Sequence, residues 1–319
     1  MEIKQIVLTE KCNLDCKYCY MQQRNTMLTK DVFMKFYKTF DKDYQIDLFG
    51  GEPLLNWPMV KIITETCCKD SKCLGVNLYS NGLMLDQEKI DFIKQNNVNF
   101  FWSYDGLWAE EEISHDILEM VKQLTNFAAV QIGPPNLNLV ENLQYFYDIG
   151  MVPTFTLMRD KRWSLIDVIQ FRGEFRSLCY EVIKNFRSGI NFVPKIIYIT
   201  VKRLIEGLNN KRSMSWCGAG ERMQCYMPNG ETYPCARFGT EDYRSEFDAY
   251  EDCKKCDLDF FCDKGCYHQA AKNSGILKEI CELNRIVVTC VVELNHMLKD
   301  NSDWRKMIVK IEEEALCTE

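Results

Sequence analysis

The chain has 319 residues, 46% hydrophobic and 27% charged, with 16 Gly and 8 Pro, which excludes collagen-like and disordered classes. A formal charge of −7 argues against a dedicated nucleic-acid surface, and no apolar run approaches the roughly 18 residues a membrane span needs. The outlying figure is 17 Cys in a sequence whose start, MEIKQIVLTEK, lacks the apolar core of an export signal, so a cytoplasmic location is expected and the cysteines read as ligands or nucleophiles rather than disulfides.

Short β-like runs alternate with amphipathic stretches along the first half of the chain. Residues 3–9 pair with 31–40, 46–49 with 57–68, 76–80 with 86–96, and 100–103 with 110–127. Residues 128–132 pair with 137–149, and 152–157 with 165–185. Strands alternating with helices predict a parallel α/β fold. Eight such units close a full barrel, so six predict a partial (βα)6 TIM-like barrel over residues 1–205. A small cysteine-rich domain is expected over 206–285 and a C-terminal helical segment over 286–319.

Unusual residues collect where these strands end. Cys12, Cys16 and Cys19 follow the first, Gly50-Gly51-Glu52-Pro53 the second, Ser80-Asn81-Gly82 the third, and Ser103-Tyr104-Asp105-Gly106 the fourth. In a parallel sheet these carboxyl ends share one face, the face where α/β folds place ligands. Three cysteines within eight residues supply three thiolates, one fewer than a structural zinc requires. An iron–sulfur cube with three protein ligands keeps one iron open.

The spacing C-x3-C-x-aromatic-C after the first strand, with GGEP after the second, resembles the radical S-adenosylmethionine (radical SAM) superfamily. The resemblance implies that Cys12, Cys16 and Cys19 hold a 4Fe-4S cluster whose open iron chelates S-adenosyl-L-methionine. It further implies reductive cleavage to a 5′-deoxyadenosyl radical that abstracts hydrogen from an unreactive C–H bond. Gly50 and Gly51, lacking Cβ atoms, allow backbone to approach a bound ammonium group. Glu52 adds a negative partner there or caps the turn with Pro53. The backbone beside Tyr18 would flank the adenine, Ser103 and Asp105 would meet the methionine end, and Ser80 and Asn81 the ribose. Ordinary turn chemistry accounts for the SNG and SYDG segments equally well.

Eight further cysteines lie between Cys217 and Cys281, with His268 among them. Eight thiolates suit two four-iron clusters or two zinc ions, and spacing alone does not choose. The run C-x12-G-x4-C, then C-x2-C-x5-C-x3-C and a last Cys, resembles the SPASM extension of radical SAM enzymes, which carries two auxiliary clusters. By that resemblance Cys217, Cys235 and Cys266 hold the first, and Cys253, Cys256, Cys262 and Cys281 the second. Cys225 either completes the first cluster or stays a free thiol that returns a hydrogen atom to a substrate radical.

SPASM proteins mostly modify ribosomally made peptides by crosslinking, epimerisation or oxidation, so a peptide substrate is expected, together with a low-potential electron donor such as flavodoxin or ferredoxin. A radical SAM enzyme acting on a sugar or cofactor precursor is the alternative, and a non-catalytic metal-binding protein a further one. Sulfatase-maturing relatives place Asp after the Tyr-Pro-Cys cysteine; here Ala236 and Arg237 follow Cys235, and alanine is no general base. Arg237 could clamp a carboxylate or join a surface ion pair. The chain opens on its first strand, which leaves leader recognition to the barrel mouth, the extension or a separate leader-peptide-binding protein. Neither nucleic acid nor membrane is expected as a partner. Cys67, Cys68, Cys73, Cys179, Cys290 and Cys317 lack ligand spacing, and His115 and His296 read as surface or packing residues. Trp102 and Trp108 read as core. Lys202, Arg203, Lys211 and Arg212 read as a solvated helix face, with a groove for an acidic peptide as the sharper alternative.

Overall fold

Ile6, Val7 and Leu8 are all fully buried, and an apolar run of this kind makes the first strand a central one. The computed structural model describes residues 1–109, 112–159, 161–209, 217–240, 253, 255–259, 261–262, 265–273 and 275–316. Cys317, Lys211 and Arg212 lie outside the described residues. The chain divides into two units. The first is Met1–Ala129, Gly150–Val152 and Cys217–Arg244; the second is Val130–Ile149, Pro153–Trp216 and Ser245–Glu319.

The first unit begins β1 (Glu2–Val7), α1 (Lys30–Tyr37), β2 (Tyr44–Phe49), a 3-10 turn (Pro53–Asn56), α2 (Trp57–Cys67), β3 (Cys73–Ser80) and α3 (Gln87–Gln95). It continues with β4 (Asn99–Ser103), α4 (His115–Lys122) and the first half of β5 (Phe127–Ile132). Polar caps set the helix starts: Thr29, Asp86 and Ser114 each accept a backbone N–H of the first turn. The Ser114 cap starts α4 later than the predicted 110–127 helix, and turn bonds from Gln123, Leu124 and Thr125 stop it early.

All strands from β1 to β5 run parallel, with Lys4 opposite Ile46, Leu48 opposite Leu78, Leu78 opposite Phe100 and Trp102 opposite Ala128. The second unit holds α5 (Leu139–Asp148), most of β6 (Val152–Leu157), α6 (Leu165–Arg187) and α7 (Lys195–Leu208). All six predicted strand–helix pairs are present. Ser164 and Asp167 form a reciprocal capping box at the start of α6.

Two strands were not foreseen. β7 (Met223–Tyr226) lies parallel to β1, with Gln5 opposite Cys225, and β8 (Thr232–Tyr233) adds antiparallel to it, followed by α8 (Ala236–Thr240). The first unit's sheet is therefore ordered β5-β4-β3-β2-β1-β7-β8. The second unit closes with α9 (Tyr267–Lys272), α10 (Lys278–Leu298) and α11 (Ser302–Leu316). Phe171, Phe175 and Leu178 of α6 and Leu283 and Leu294 of α10 form its buried core. Arg172–Glu282 and Arg176–Glu293 bridge α6 and α10 at the exposed rim, where such pairs contribute little. Among the described residues no helix is long and apolar enough to cross a membrane.

Candidate functional site

After β1 the chain makes a long excursion and returns beside itself. Leu28 N–H donates to Leu8 C=O at 2.9 Å, and Thr9 bridges Met27, pinching the base of a loop that carries the first three cysteines. Within it Cys19 N–H turns back to Cys16 C=O at 2.8 Å, and Leu14 N–H points at the Cys12 Sγ at 3.5 Å. Cys12 and Cys16 are half-buried and Cys19 is exposed.

The GGEP turn packs directly on this loop. Gly51 N–H donates to Thr9 C=O at 2.8 Å and Glu52 N–H to Lys11 C=O at 2.9 Å. A Cβ on Gly50 would lie 2.5 Å from Thr9 O, and one on Gly51 2.2 Å from Lys11 O. Glycine is thus required here by the chain's own backbone, which is seated against the segment leading into Cys12.

Glu52 is 1% exposed and uses both carboxylate oxygens. Its Oε1 accepts from Leu54 N–H at 2.9 Å and Ser80 Oγ–H at 2.8 Å, while Oε2 accepts from Asn81 N–H at 2.9 Å. Burial pushes the carboxyl up from its ordinary range and the three hydrogen bonds oppose this. Glu52 therefore caps the 3-10 turn that Pro53 opens, and also ties β2's end to β3's. Asn81 carries the network onward, its Nδ2 donating to Asn13 Oδ1 at 2.8 Å inside the cysteine loop.

Tyr18 makes a second tie. Its hydroxyl, between Cys16 and Cys19, donates in a short hydrogen bond to the buried Asp105 carboxylate after β4. Burial first, and the neighbouring Asp105 charge second, push the phenol up, so it stays a donor. Ser103 is exposed at the end of β4, and Trp102, fully buried, stacks on Tyr104 at 4.7 Å. Trp108 is exposed rather than core.

The β7–β8 hairpin brings Cys225 and Cys235 together. Cys225 is fully buried among Val7, Met21, Met227 and Ala236, and burial pushes its thiol well up, with Cys235 adding to the effect. Cys217 and Cys235 are half-buried. Ala236 N–H donates to Gln5 Oε1 at 3.0 Å, and the Arg237 guanidinium stacks 3.9 Å from the centroid of Tyr20, next to Cys19. Neither arrangement was evident in the sequence.

In the second unit, Cys253, Cys256, Cys262 and Cys281 all line one cavity of about 30 Å³. Successive turns gather the first three: Cys256 N–H donates to Cys253 C=O at 3.0 Å and Cys262 N–H to Leu258 C=O at 2.8 Å. Cys281 joins from the first turns of α10. Cys266 sits at the start of α9 and does not line this cavity. Among the described residues no three His, Cys, Asp or Glu side chains converge on one metal ion.

Asn284, which sequence reasoning passed over, lines this cavity, and Arg159, also passed over, bonds to Asn284 without lining the cavity itself. Asn284 Nδ2 donates to Cys262 Sγ at 3.1 Å, and its Oδ1 accepts from Arg159 Nη1 at 2.7 Å. No local signal marks them, since 125 residues separate Asn284 from Arg159. Of the remaining cysteines, Cys67, Cys179 and Cys290 are buried, Cys73 is half-buried and Cys68 exposed. His115 and His296 are exposed, and His268 is buried on α9.

Comparison with known proteins places this geometry. Residues 6–102 match the radical SAM superfamily. The radical SAM cyclopropyl synthase TigE of Paramaledivibacter caminithermalis is 21% identical, over 91% of this chain and 73% of that protein. A GTP 3′,8-cyclase of Clostridium acetobutylicum is 33% identical, over 43% of this chain; the match spans under half of that protein, 46%. Native anSMEcpe, solved with bound AdoMet and Cp18Cys peptide, shares the fold at a TM-score of 0.71 and 15% identity, covering 93% of this chain and 99% of that one.

Proposed function

Given that the chain carries a radical SAM domain, and with it S-adenosylmethionine and a 4Fe-4S cluster as cofactors, we propose that it is a SPASM-type enzyme that modifies a ribosomally made peptide. The observation that carries this reading is the pairing of two unlike cysteine sets. A three-thiol loop is pinned to the GGEP turn, and a separate four-thiol cavity lies in the second unit. A loop with three thiolates leaves one iron free for a cofactor, whereas four thiolates saturate a cluster and suit it to electron transfer or structure. The anSMEcpe structure, solved with a bound Cp18Cys peptide, supports the peptide side of the reading.

When bound, the cluster and S-adenosylmethionine supply a carbon-centred radical that abstracts hydrogen from a C–H bond. The chain's own residues do the rest. Cys12, Cys16 and Cys19 ligate, while Gly50, Gly51, Glu52 and Pro53 hold the loop's base rigid and offer backbone to the methionine end. Ser103 and Asp105 meet the methionine end as well, and Ser80 and Asn81, fixed by Glu52, meet the ribose. Cys217, Cys235, Cys266 and Cys225 hold a first auxiliary cluster, and Cys253, Cys256, Cys262 and Cys281 a second. A flavodoxin or ferredoxin class protein supplies electrons. The likeness to a GTP 3′,8-cyclase, over 43% of this chain, favours a second reading, action on a small molecule.

Anaerobic reconstitution tests the proposal. About 12 irons per chain are expected for three four-iron clusters, falling by about four in Cys12→Ala with loss of 5′-deoxyadenosine. Iron lost from Cys225→Ala supports its ligand role, and full iron assigns it a free thiol. A precursor peptide that gains or loses hydrogen, by mass, in step with 5′-deoxyadenosine formation is the expected result. Bound zinc without 5′-deoxyadenosine refutes the enzyme, and stimulation by GTP but by no peptide selects the small-molecule reading.

A further inference from the structure

Cys67 and Cys73 belong to neither cysteine set described above. Helix α2 ends on Cys67 and β3 begins on Cys73. In a parallel sheet the start of a strand lies on the face away from the carboxyl ends, so this pair sits at the opposite end of the sheet from the GGEP turn.

The connection between the two cysteines is held by its own hydrogen bonds. Asp70 N–H donates to Cys67 C=O, and Cys73 N–H to Asp70 C=O, each at 3.0 Å. The Asp70 carboxylate is fixed in turn, accepting from Lys72 N–H at 3.0 Å, the Tyr44 hydroxyl at 2.9 Å and the Tyr37 hydroxyl at 3.2 Å. Tyr44, fully buried on β2, is the register partner of Cys73. This turn brings the side chains together: the Cys67 and Cys73 thiols hydrogen-bond to each other, with the Tyr44 hydroxyl beside both.

Their surroundings differ. Cys67 is fully buried, whereas Cys73 is half-buried beside the exposed Ser71 and Lys72. The bond from Cys67 holds the Cys73 thiol below its ordinary range, while that same bond and burial push Cys67 up. Cys68, the third thiol nearby, is exposed and donates to Asn96 C=O at 3.8 Å. Among the described residues no three His, Cys, Asp or Glu side chains are grouped to hold a metal ion.

We infer that Cys67 and Cys73 form a thiol–disulfide exchange site that takes a low-molecular-weight disulfide of the glutathione type, apart from the radical site. Only Cys73 is open to solvent, and only in part, so a small reagent is the one that reaches it. Cys73 gives its proton to solvent and, as thiolate, attacks one sulfur of that disulfide. A mixed disulfide forms, and the released thiolate takes a proton back. The Cys67 thiol then attacks the Cys73 sulfur, passing its proton to the second thiol as it leaves. Two protein thiols are thereby oxidised to one disulfide, and the small disulfide is reduced to two thiols. Because the two thiols are already in contact, the second step only closes a hydrogen-bonded pair to an S–S bond of about 2.05 Å.

The test uses the anaerobic holoprotein, treated with excess glutathione disulfide, quenched with iodoacetamide and digested with trypsin without reduction. Cleavage after Lys69 and Lys72 separates the two cysteines, so their bond is read by mass as two linked peptides lacking two hydrogens. The link is expected in wild type, retained in Cys68→Ser, and lost in Cys67→Ala, where Cys73 should instead keep a bound glutathione. Iron content should be equal in Cys73→Ala and wild type. Should a variant fail to fold, fragmentation of the wild-type linked peptides still decides, because it tells Cys67 from Cys68. Alkylation of both Cys67 and Cys73 in treated wild type overturns the site, as does a bond through Cys68. Unmodified Cys73 in folded Cys67→Ala overturns it as well, and loss of iron from folded Cys73→Ala does so by making these thiols cluster ligands. No S-adenosylmethionine enters the readout, so its failure is distinct from failure of the radical reading.

Discussion

Glu52 gives the most direct check on how the first site is held. Truncation to Ala strands three buried donors: the Leu54 and Asn81 amides, at 2.9 Å each, and the Ser80 hydroxyl, at 2.8 Å. A stranded buried donor costs about 1–3 kcal/mol. Taking the low end for each, because water can enter the space vacated, gives about 3 kcal/mol, a roughly hundredfold rise in local opening. Glu52→Gln keeps the two bonds to Oε1 but turns an amide N–H toward Asn81 N–H, so about 1 kcal/mol is expected. The assay is amide hydrogen exchange of the cluster-loaded protein over residues 50–56 and 78–83, without S-adenosylmethionine. The pH dependence follows from burial, which raises the folded-state pKa above the ordinary 4.5. A raised carboxyl binds its proton more tightly in the folded state. Its contribution is full below 4.5, is lost as pH rises through the folded value, and is flat above it. Wild-type protection should therefore fall across that window relative to Glu52→Gln, which has no titrating group there. Exchange in Glu52→Ala within about twofold of wild type would show that this carboxylate does not tie the two strand ends together.

Two other ties can be cut in the same way. Tyr18→Phe removes the hydroxyl that reaches Asp105; a hydrogen bond to a charged group is worth about 1.5–3 kcal/mol. Exchange across residues 14–20 should quicken by about tenfold or more, with less iron retained by the three-cysteine loop, and unchanged exchange refutes the tie. Asn284→Leu removes the amide that donates to Cys262. If the proposed second auxiliary cluster occupies this cavity, loss of about 1 kcal/mol of N–H···S stabilisation of its reduced state lowers a one-electron potential by about 40 mV, readable by a spectroscopic redox titration. An unmoved potential removes Asn284 from that role.

What the sequence made legible is local. The six strand–helix pairs declare themselves because apolar periodicity, capping Ser, Thr and Asp, and turn glycines act within a few residues of each other. The three-cysteine loop and the GGEP turn are equally local, and both appear at strand ends as the pattern required. β7 escaped because four residues, Met-Gln-Cys-Tyr, carry no periodicity of their own; pairing with β1, more than 200 residues earlier, makes them a strand.

Glu52 was readable as a cap or as a partner for an ammonium group, but its bonds to Ser80 and Asn81 depend on the register of β2 against β3. The same holds for Tyr18 with Asp105, 87 residues apart, and for Arg159 with Asn284. Cysteine spacing thus announces which thiols belong together, because a short loop constrains its own ligands. The polar groups that set how those thiols are held come from distant segments, and only the packing of strands and helices brings them into reach. How such thiols are held is consequently a property of the fold, and Asn284, with one hydrogen bond toward a thiol and one from Arg159, is where that dependence is most exposed to measurement.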